Sequence, residues 1–259
     1  MTAPDTFRAA WERWRAQRAR AVTAPDGPLA LTLTHHIADA PQVPGTPGRW
    51  TSDGDEVVLT AAGADRIAID GKVVDGRVWL RPDQPPTRIT FPGGLLQPIE
   101  RDGMHAVRVF RPDTDALRGF AGIDTFDPDP AWVVTGVFHA AAPRTAVGFP
   151  FSGDGVTRTV DVPGMVRFQA DGRTFDLTAF PKDGGMLHLP FADATTGRES
   201  CAPARFLFAA RPADGGDVTL DFNRAVLPPC AFSEAFNCPL PPPGNRLPVP
   251  VAAGEQRRR

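Results

Sequence analysis

The chain has 259 residues with 28 Lys and Arg against 30 Asp and Glu, a formal charge of −2, so it lacks the global positive field that neutralises nucleic-acid phosphates. Its 29 prolines and 25 glycines make about a fifth of the sequence, below the ~25–30% that marks low-complexity disorder, and read as turn punctuation in a folded chain. A chain of this length buries a core without disulfide or metal support, and no uncharged apolar run approaches the ~18 residues of a membrane-spanning helix.

The Met1 end, MTAPDTFRAAWERWRAQ, is charged throughout and has neither the apolar segment nor the cleavage site of a signal peptide. The expected setting is the cytoplasm, with the three cysteines reduced. Thr2 and Asp5 have the spacing of a capping box, and Phe7, Trp11 and Trp14 follow at i, i+4 and i+7 on one helical face. Arg8, Glu12, Arg15 and Arg20 fall on the other side. This predicts an amphipathic helix within 1–23. Three large aromatic side chains on one face suit docking on the body of the protein better than a lipid headgroup layer.

After Pro25 the helical period gives way to a β pattern. Asp-Gly occurs nine times, beginning at Asp26, Asp53, Asp70, Asp75, Asp102, Asp154, Asp171, Asp183 and Asp214, and Asp-Gly between alternating segments is the strongest short hairpin signal, since both residues tolerate positive φ. The run from Val166 to Leu177 shows it best, with two alternating strands meeting at Asp171-Gly172. Further strands are predicted at 29–36, 66–69, 77–81, 87–91, 104–110, 131–139, 156–162, 186–191, 204–210 and 217–222. So many short strands with local turns predict an all-β fold, an antiparallel sandwich or barrel carrying one N-terminal amphipathic helix. The stretch Gly119–Pro130, with two prolines, Asp124, Asp127, Asp129 and few apolar residues, reads as a divider. It separates a small β subdomain over 24–120 from a C-terminal β subdomain over 131–259.

The proline-rich end, residues 238–255, contains two patterns. Pro239 and Pro241 to Pro243 favour an extended polyproline II segment. Further on, Pro248 and Pro250 stand two apart and remove two donors from one edge, while Leu247, Val249 and Val251 share the other edge and one face. This predicts an edge strand that pairs through 247, 249 and 251, buries those side chains and turns its prolines to solvent.

The motifs Phe191-Ala-Asp-Ala-Thr-Thr-Gly-Arg-Glu-Ser, Ala204-Arg-Phe, Leu220-Asp-Phe-Asn-Arg-Ala, Pro229-Cys-Ala-Phe, Cys238-Pro-Leu-Pro-Pro-Pro, Asn245-Arg-Leu-Pro and Ala253-Gly-Glu resemble the C-terminal signature of domain-of-unknown-function family 1684, a bacterial and archaeal family. The resemblance is specific over 186–255. It implies a set of shared polar positions: Asp193, Thr195, Glu199, Arg205, Asp221, Asn223, Cys230, Cys238 and Asn245. It also implies three departures, with Cys201 and Val226 where the family has tyrosine and Gly244 where it has glutamate; the chain contains no tyrosine at all.

These polar positions support more than one chemistry. Asp193, Glu199 and Arg205 form either a buried ion network or a carboxylate pair with a positive neighbour, and Asp221 and Asn223, two apart at a strand end, face the same side. Cys230 and Cys238, eight apart, read as small buried apolar thiols or a disulfide, and a nucleophilic cysteine would need a nearby base that the sequence does not place. Zinc with Cys201, Cys230, Cys238 and His188 lacks the expected C-x-x-C spacing, so no metal is predicted. His35, His36, His105 and His139 stand outside any H-x-x-x-H pattern, and G-x-S-x-G, Walker A and dinucleotide glycine motifs are absent, so no cofactor is predicted. The sequence therefore predicts a cytoplasmic all-β domain that takes a small polar or anionic ligand near the C-terminal motif. Asp193, Thr195, Glu199, Arg205, Asp221, Asn223, Cys230 and Asn245 line the site, and neither nucleic acid nor membrane is a partner. The alternative is a hydrolase using the carboxylates or Cys230. A third reading takes the strands between about 45 and 120 as similar in layout to forkhead-associated domains, with Gly48-Arg49 and Ser52 as a phosphopeptide loop, although the Ser-x-x-His element of that family is missing.

Overall fold

In a computed structural model, which describes residues 3–82, 84, 88–101, 103–153 and 155–259, the N-terminal segment forms helix α1 (Ala3–Val22). Trp11 is buried and Phe7 and Trp14 are half-buried, while Arg8, Glu12 and Arg20 are exposed, as the spacing predicts. Arg15 departs from its expected solvated place: its Nη2 donates to the Ile123 carbonyl at 3.0 Å and its guanidinium lies over the Trp11 ring. An arginine stem is long enough to lie along apolar surface while its head reaches an acceptor beyond it. The Thr2 cap and the aspartates of two expected turns, Asp102 and Asp154, lie outside the described residues. No described helix is long and apolar enough to cross a membrane.

Two compact units divide the chain, one holding Arg20–Gly119 with Ser233–Ala235, the other holding the residues up to Ala19, Phe120–Phe232 and Phe236–Arg259. The first contains β1 (Leu31–His36), β2 (Arg49–Asp53), β3 (Glu56–Ala61), β4 (Ala68–Ile69), β5 (Lys72–Val73), β6 (Gly76–Leu80), β7 (Ile89–Phe91), β8 (Gly94–Arg101) and β9 (Met104–Phe110). They form a six-stranded sheet in the order β1-β9-β8-β7-β4-β5 and a three-stranded sheet in the order β2-β3-β6. Trp50, Val57 and Leu59 of the smaller sheet and Leu96, Val107 and Val109 of the larger one share a single buried cluster. Each such fully buried large side chain contributes about 1.5–3 kcal/mol.

The second unit contains β10 (Ile123–Thr125), β11 (Val133–Ala140), β12 (Ala146–Pro150), β13 (Thr157–Asp161), β14 (Gly164–Ala170), β15 (Arg173–Lys182), β16 (Met186–Phe191), β17 (Arg205–Ala210), β18 (Asp217–Asp221) and β19 (Glu255–Arg258). Its main sheet runs β17-β16-β15-β14-β11-β18, every neighbour antiparallel. The β14–β15 turn is the predicted one: Ala170 pairs with Arg173, and Asp171 and Gly172 have φ of 50° and 68°, the positive angles a two-residue hairpin needs. β18 follows β17 in the chain but returns to the far edge beside β11. Beyond it Val226 exchanges both backbone hydrogen bonds with Phe206 of β17, at 2.8 and 2.9 Å, and the sheet curls into a nearly closed barrel. Phe138, Val166, Phe168, Leu177, Leu189, Leu207 and Leu220 fill its interior.

The C-terminal segment keeps the predicted burial and loses the predicted ladder. Leu247, Val249 and Val251 are buried in the barrel core, and Pro248 and Pro250 face outward. The Leu247 N–H donates to the Ala192 carbonyl at 2.8 Å and the Ala194 N–H to the Val249 carbonyl at 3.2 Å. The Val251 N–H instead donates to the Asp193 carboxylate at 2.6 Å. Past Phe191 the chain turns away through the Asp193–Ser200 loop, so a side chain takes the place of a strand partner. The segment is a strap over the barrel end. The stretch expected to be a divider, Gly119–Pro130, is also structured: β10 within it pairs antiparallel with β19.

Candidate functional site

The polar residues singled out in the sequence gather into separate centres within the barrel unit. The first holds the strap. Asp193 and Arg205 have fully buried side chains and form an ion pair at 3.2 Å. Asp193 also accepts from Thr195 Oγ1 at 3.0 Å and Thr196 Oγ1 at 2.9 Å, and Thr195 Oγ1 lies 2.9 Å from Ser200 Oγ. The Arg205 guanidinium donates to the carbonyls of Val251, at 2.8 Å, and Ala253, and lies over the rings of Phe191 and Phe126. Burial pulls the guanidinium below its ordinary value, and Asp193 pulls the other way. A buried guanidinium needs a counter-charge, which Asp193 supplies, although Arg205 Nε is buried without a hydrogen-bond partner. Glu199 stands outside this centre: it is exposed, and its backbone is what is engaged, the N–H donating to the Thr195 carbonyl at 3.0 Å and the carbonyl accepting from Arg257 Nη2 at 3.2 Å.

The second centre holds the turn before β11. Asn223, fully buried, accepts the Asp129 N–H on Oδ1 at 2.9 Å and donates from Nδ2 to the Asp129 carbonyl at 2.9 Å. Its side-chain amide thus pairs with the Asp129 backbone as a strand neighbour would. Asp221 Oδ1 accepts from both the N–H and Nδ2 of Asn223 at 3.1 Å, and its other oxygen pairs with Arg224 Nε at 3.1 Å. Asp129 then caps the 3-10 turn Pro130–Trp132, accepting from the Ala131 N–H at 2.9 Å. Proline at the first position of such a turn loses no bond, because that N–H has no partner there. Trp132 emerges from the turn edge-on to Phe222, 5.9 Å between ring centroids.

Asn245 occupies a third place. Its Oδ1 accepts the Thr178 N–H, and its Nδ2 donates to the carbonyls of Thr178 and Pro190, all at 2.8 Å. β15 and β16 pair only from Phe180 to Lys182 with His188 to Met186. Where they splay, the Asn245 amide fills the gap between them.

Between the strap and the capped turn lies a hollow of about 490 Å³, lined by Trp132, Val134, Ala170, Gln169, Asp171 and Pro250 among others. Trp132, Val134 and Ala170 are half-buried and pack on the barrel core, while Gln169 and Asp171 form an exposed rim. The first two polar centres therefore stand behind its two walls: Asn223 and Asp221 behind Trp132, Asp193 and Arg205 behind Pro250. None of the residues predicted as lining is itself a wall. The sequence carries a local sign of the missed residue, since Asp129-Pro130-Ala131-Trp132 has the N-cap and first-position proline of a short turn.

Cys230 and Cys238 form a further group. All three cysteines are thiols. The Cys230 N–H donates to Cys238 Sγ at 3.3 Å, and the Cys238 N–H to Ser152 Oγ at 2.9 Å. Among the described residues no three His, Cys, Asp or Glu side chains are grouped to hold a metal ion.

The family described as protein of unknown function (DUF1684) matches residues 118–256. The solution NMR structure of an uncharacterised protein from Haloarcula marismortui is similar at 33% identity, over 57% of this chain and 83% of its own, with a TM-score of 0.47. No curated protein matches.

Proposed function

Because the chain belongs to the family of proteins of unknown function DUF1684, we propose a function for the unit that the family match builds: a barrel that binds a small molecule in the hollow between Trp132 and Pro250. The observation that carries this reading is the hollow's construction. A concavity of about 490 Å³ falls in the size range of ligand sites, roughly 300–1,000 Å³, and barrel mouths are a preferred place for them. Two separate polar centres, at Asn223 and at Asp193 with Arg205, hold the turn and the strap that form its opposite walls. Rigid support behind a binding wall reduces the ordering cost of binding.

The lining sets the chemistry. Trp132, Val134, Ala170 and Pro250 offer an apolar slot with one aromatic face, and Gln169 and Asp171 offer a carboxamide and a carboxylate at the rim. Among the described residues no Lys, Arg or His belongs to the lining. A ligand with a flat apolar body and a hydrogen-bond donor or cationic end fits this wall better than an anion. In this reading Asp193, Thr195, Arg205, Asp221, Asn223 and Asn245 serve the ligand by holding strap, turn and strands in place. The hollows of the other unit, about 220 and 440 Å³, lie outside the residues the family shares. Three thiols suit a reducing cytoplasmic setting.

The test is a thermal-shift screen of small amines and aromatic metabolites on wild type and Trp132→Ala, with native mass spectrometry of each hit. A compound that stabilises wild type and not the variant supports the reading. Hits that stabilise both equally, or no hit from either class, overturn it.

A further inference from the structure

The thiol group of the barrel unit has no part in the hollow. Cys230 lies in the 3-10 turn Pro229–Ala231, half-buried, and Ser152 beside it is exposed, so the group is open to solvent on one side. Its other side is closed by Phe206, Val226, Trp14 and Phe236, which pack with Cys238. Hydrogen bonding from the Cys238 side chain, the largest influence, and from Ser152 holds the Cys230 thiol down to about 7 against burial, which acts to raise it. The Cys238 sulfur is fixed in turn by the Cys230 N–H at 3.3 Å, and its backbone by Ser152, through Cys238 N–H to Ser152 Oγ and Ser152 N–H to the Cys238 carbonyl, both 2.9 Å. Cys201 is a different kind of thiol: burial and the nearby charge of Cys230 push it up.

We propose that Cys230 and Cys238 are a reversible dithiol–disulfide pair in which Cys230 reacts with a hydroperoxide and Cys238 resolves the product. The geometry supplies what such a site needs: a thiol on a half-buried turn, and beside it a second thiol whose sulfur is held by the Cys230 N–H and which packs against Cys230. The Cys230 thiolate attacks one peroxide oxygen and the O–O bond breaks. The leaving alkoxide takes a proton and departs as an alcohol, or as water when the oxidant is hydrogen peroxide. Cys230 is now a sulfenic acid, oxidised by two electrons, and the peroxide is reduced by two. Cys238 then gives up its proton, its sulfur attacks the sulfenic sulfur, the S–S bond forms and hydroxide leaves as water. A dithiol reductant returns two electrons and two protons and restores both thiols.

The experiment treats the full-length protein at pH 7 with hydrogen peroxide and counts thiols, intact mass and cross-linked peptides. The expected result is a fall from three titratable thiols to one, a loss of two hydrogens in mass, a peptide joining positions 230 and 238, and full recovery with dithiothreitol. Cys201→Ser is expected to behave as wild type, now falling from two thiols to none. Cys238→Ser is expected to stop at a sulfenic acid trapped on Cys230 by dimedone. Retention of all three thiols in wild type overturns the proposal, and so does oxidation that begins at Cys201 or yields only intermolecular dimers. These wild-type readouts do not depend on any variant folding.

Discussion

The carboxylate of Asp193 receives the backbone N–H of Val251 at 2.6 Å while facing the Arg205 guanidinium at 3.2 Å. One side chain thus anchors the C-terminal strap and neutralises a charge buried inside the barrel. Asp193→Asn keeps the shape and removes that charge, leaving Arg205 without its counter-ion. Breaking one side of a buried pair costs about 3–5 kcal/mol. Urea denaturation is expected to show a loss of this size, whereas Glu199→Gln, at an exposed position, is expected to change stability by less than about 0.5 kcal/mol.

Asn223 holds Asp129 through two 2.9 Å bonds from its amide. Asn223→Ala removes two hydrogen bonds from the Asp129 backbone, and because Asp129 is exposed water replaces part of them, so the loss is about 0.5–1.5 kcal/mol per bond. The indole N–H resonance of Trp132 is expected to shift and broaden in this variant, because the turn that presents it has lost its clamp. An unchanged Trp132 signal would separate the clamp from the wall it is said to support.

Gly254 has φ of +82°, and a Cβ there would stand 2.6 Å from the Ala225 carbonyl oxygen and 2.7 Å from that of Phe222. Backbone oxygens cannot swing aside as a flexible side chain can. Gly254→Ala therefore adds a clash to the roughly 1–3 kcal/mol of left-handed strain. Thermal unfolding is expected to occur several degrees lower, with the Glu255 anchor weakened as well. That anchor joins Glu255 to Arg18 of α1 at 2.9 Å and to the Leu227 N–H at 2.7 Å.

Cys230 has a direction of titration that alkylation reads directly. Only the thiolate reacts, and Cys230 is held down to about 7 chiefly by its hydrogen bond from Cys238. Its iodoacetamide rate is expected to climb with pH through about 7 and level off above, while Cys201, pushed up by burial, reacts only in more alkaline solution. A Cys230 midpoint at the ordinary thiol value near 8.5 would remove the hydrogen-bonded thiolate.

The elements that depend on local chemistry were legible in the sequence. Asp171-Gly172 fixed its hairpin because two positive φ angles admit few other residues, and the alternation of Leu247, Val249 and Val251 with Pro248 and Pro250 foretold which side chains are buried. β2, with the sequence Arg-Trp-Thr-Ser-Asp, and β8, interrupted by Pro98, carry no such alternation; each pairs with its chain neighbours, β2 with β3 and β8 with β7 and β9, but which of its faces is buried is set by the core cluster the two sheets share. The same limit applies to the hollow. Asp193, Arg205, Asn223 and Asn245 stand out in sequence as polar residues amid a β pattern, but each has partners far along the chain: Val251 for Asp193 and Arg205, Asp129 for Asn223, Thr178 and Pro190 for Asn245. Trp132 and Gln169, the residues that face the hollow, look in sequence like ordinary strand-end positions.

Amide and indole chemical-shift mapping of the full-length protein against paired sets of flat aromatic amines and aromatic carboxylates tests the binding hollow most directly. The amines are predicted to perturb Trp132, Val134, Gln169 and Ala170 together, in a saturable manner, with the carboxylates weaker at the same places. Perturbations confined to residues 20–119, or a Trp132 indole indifferent to both sets, would contradict the hollow as the site.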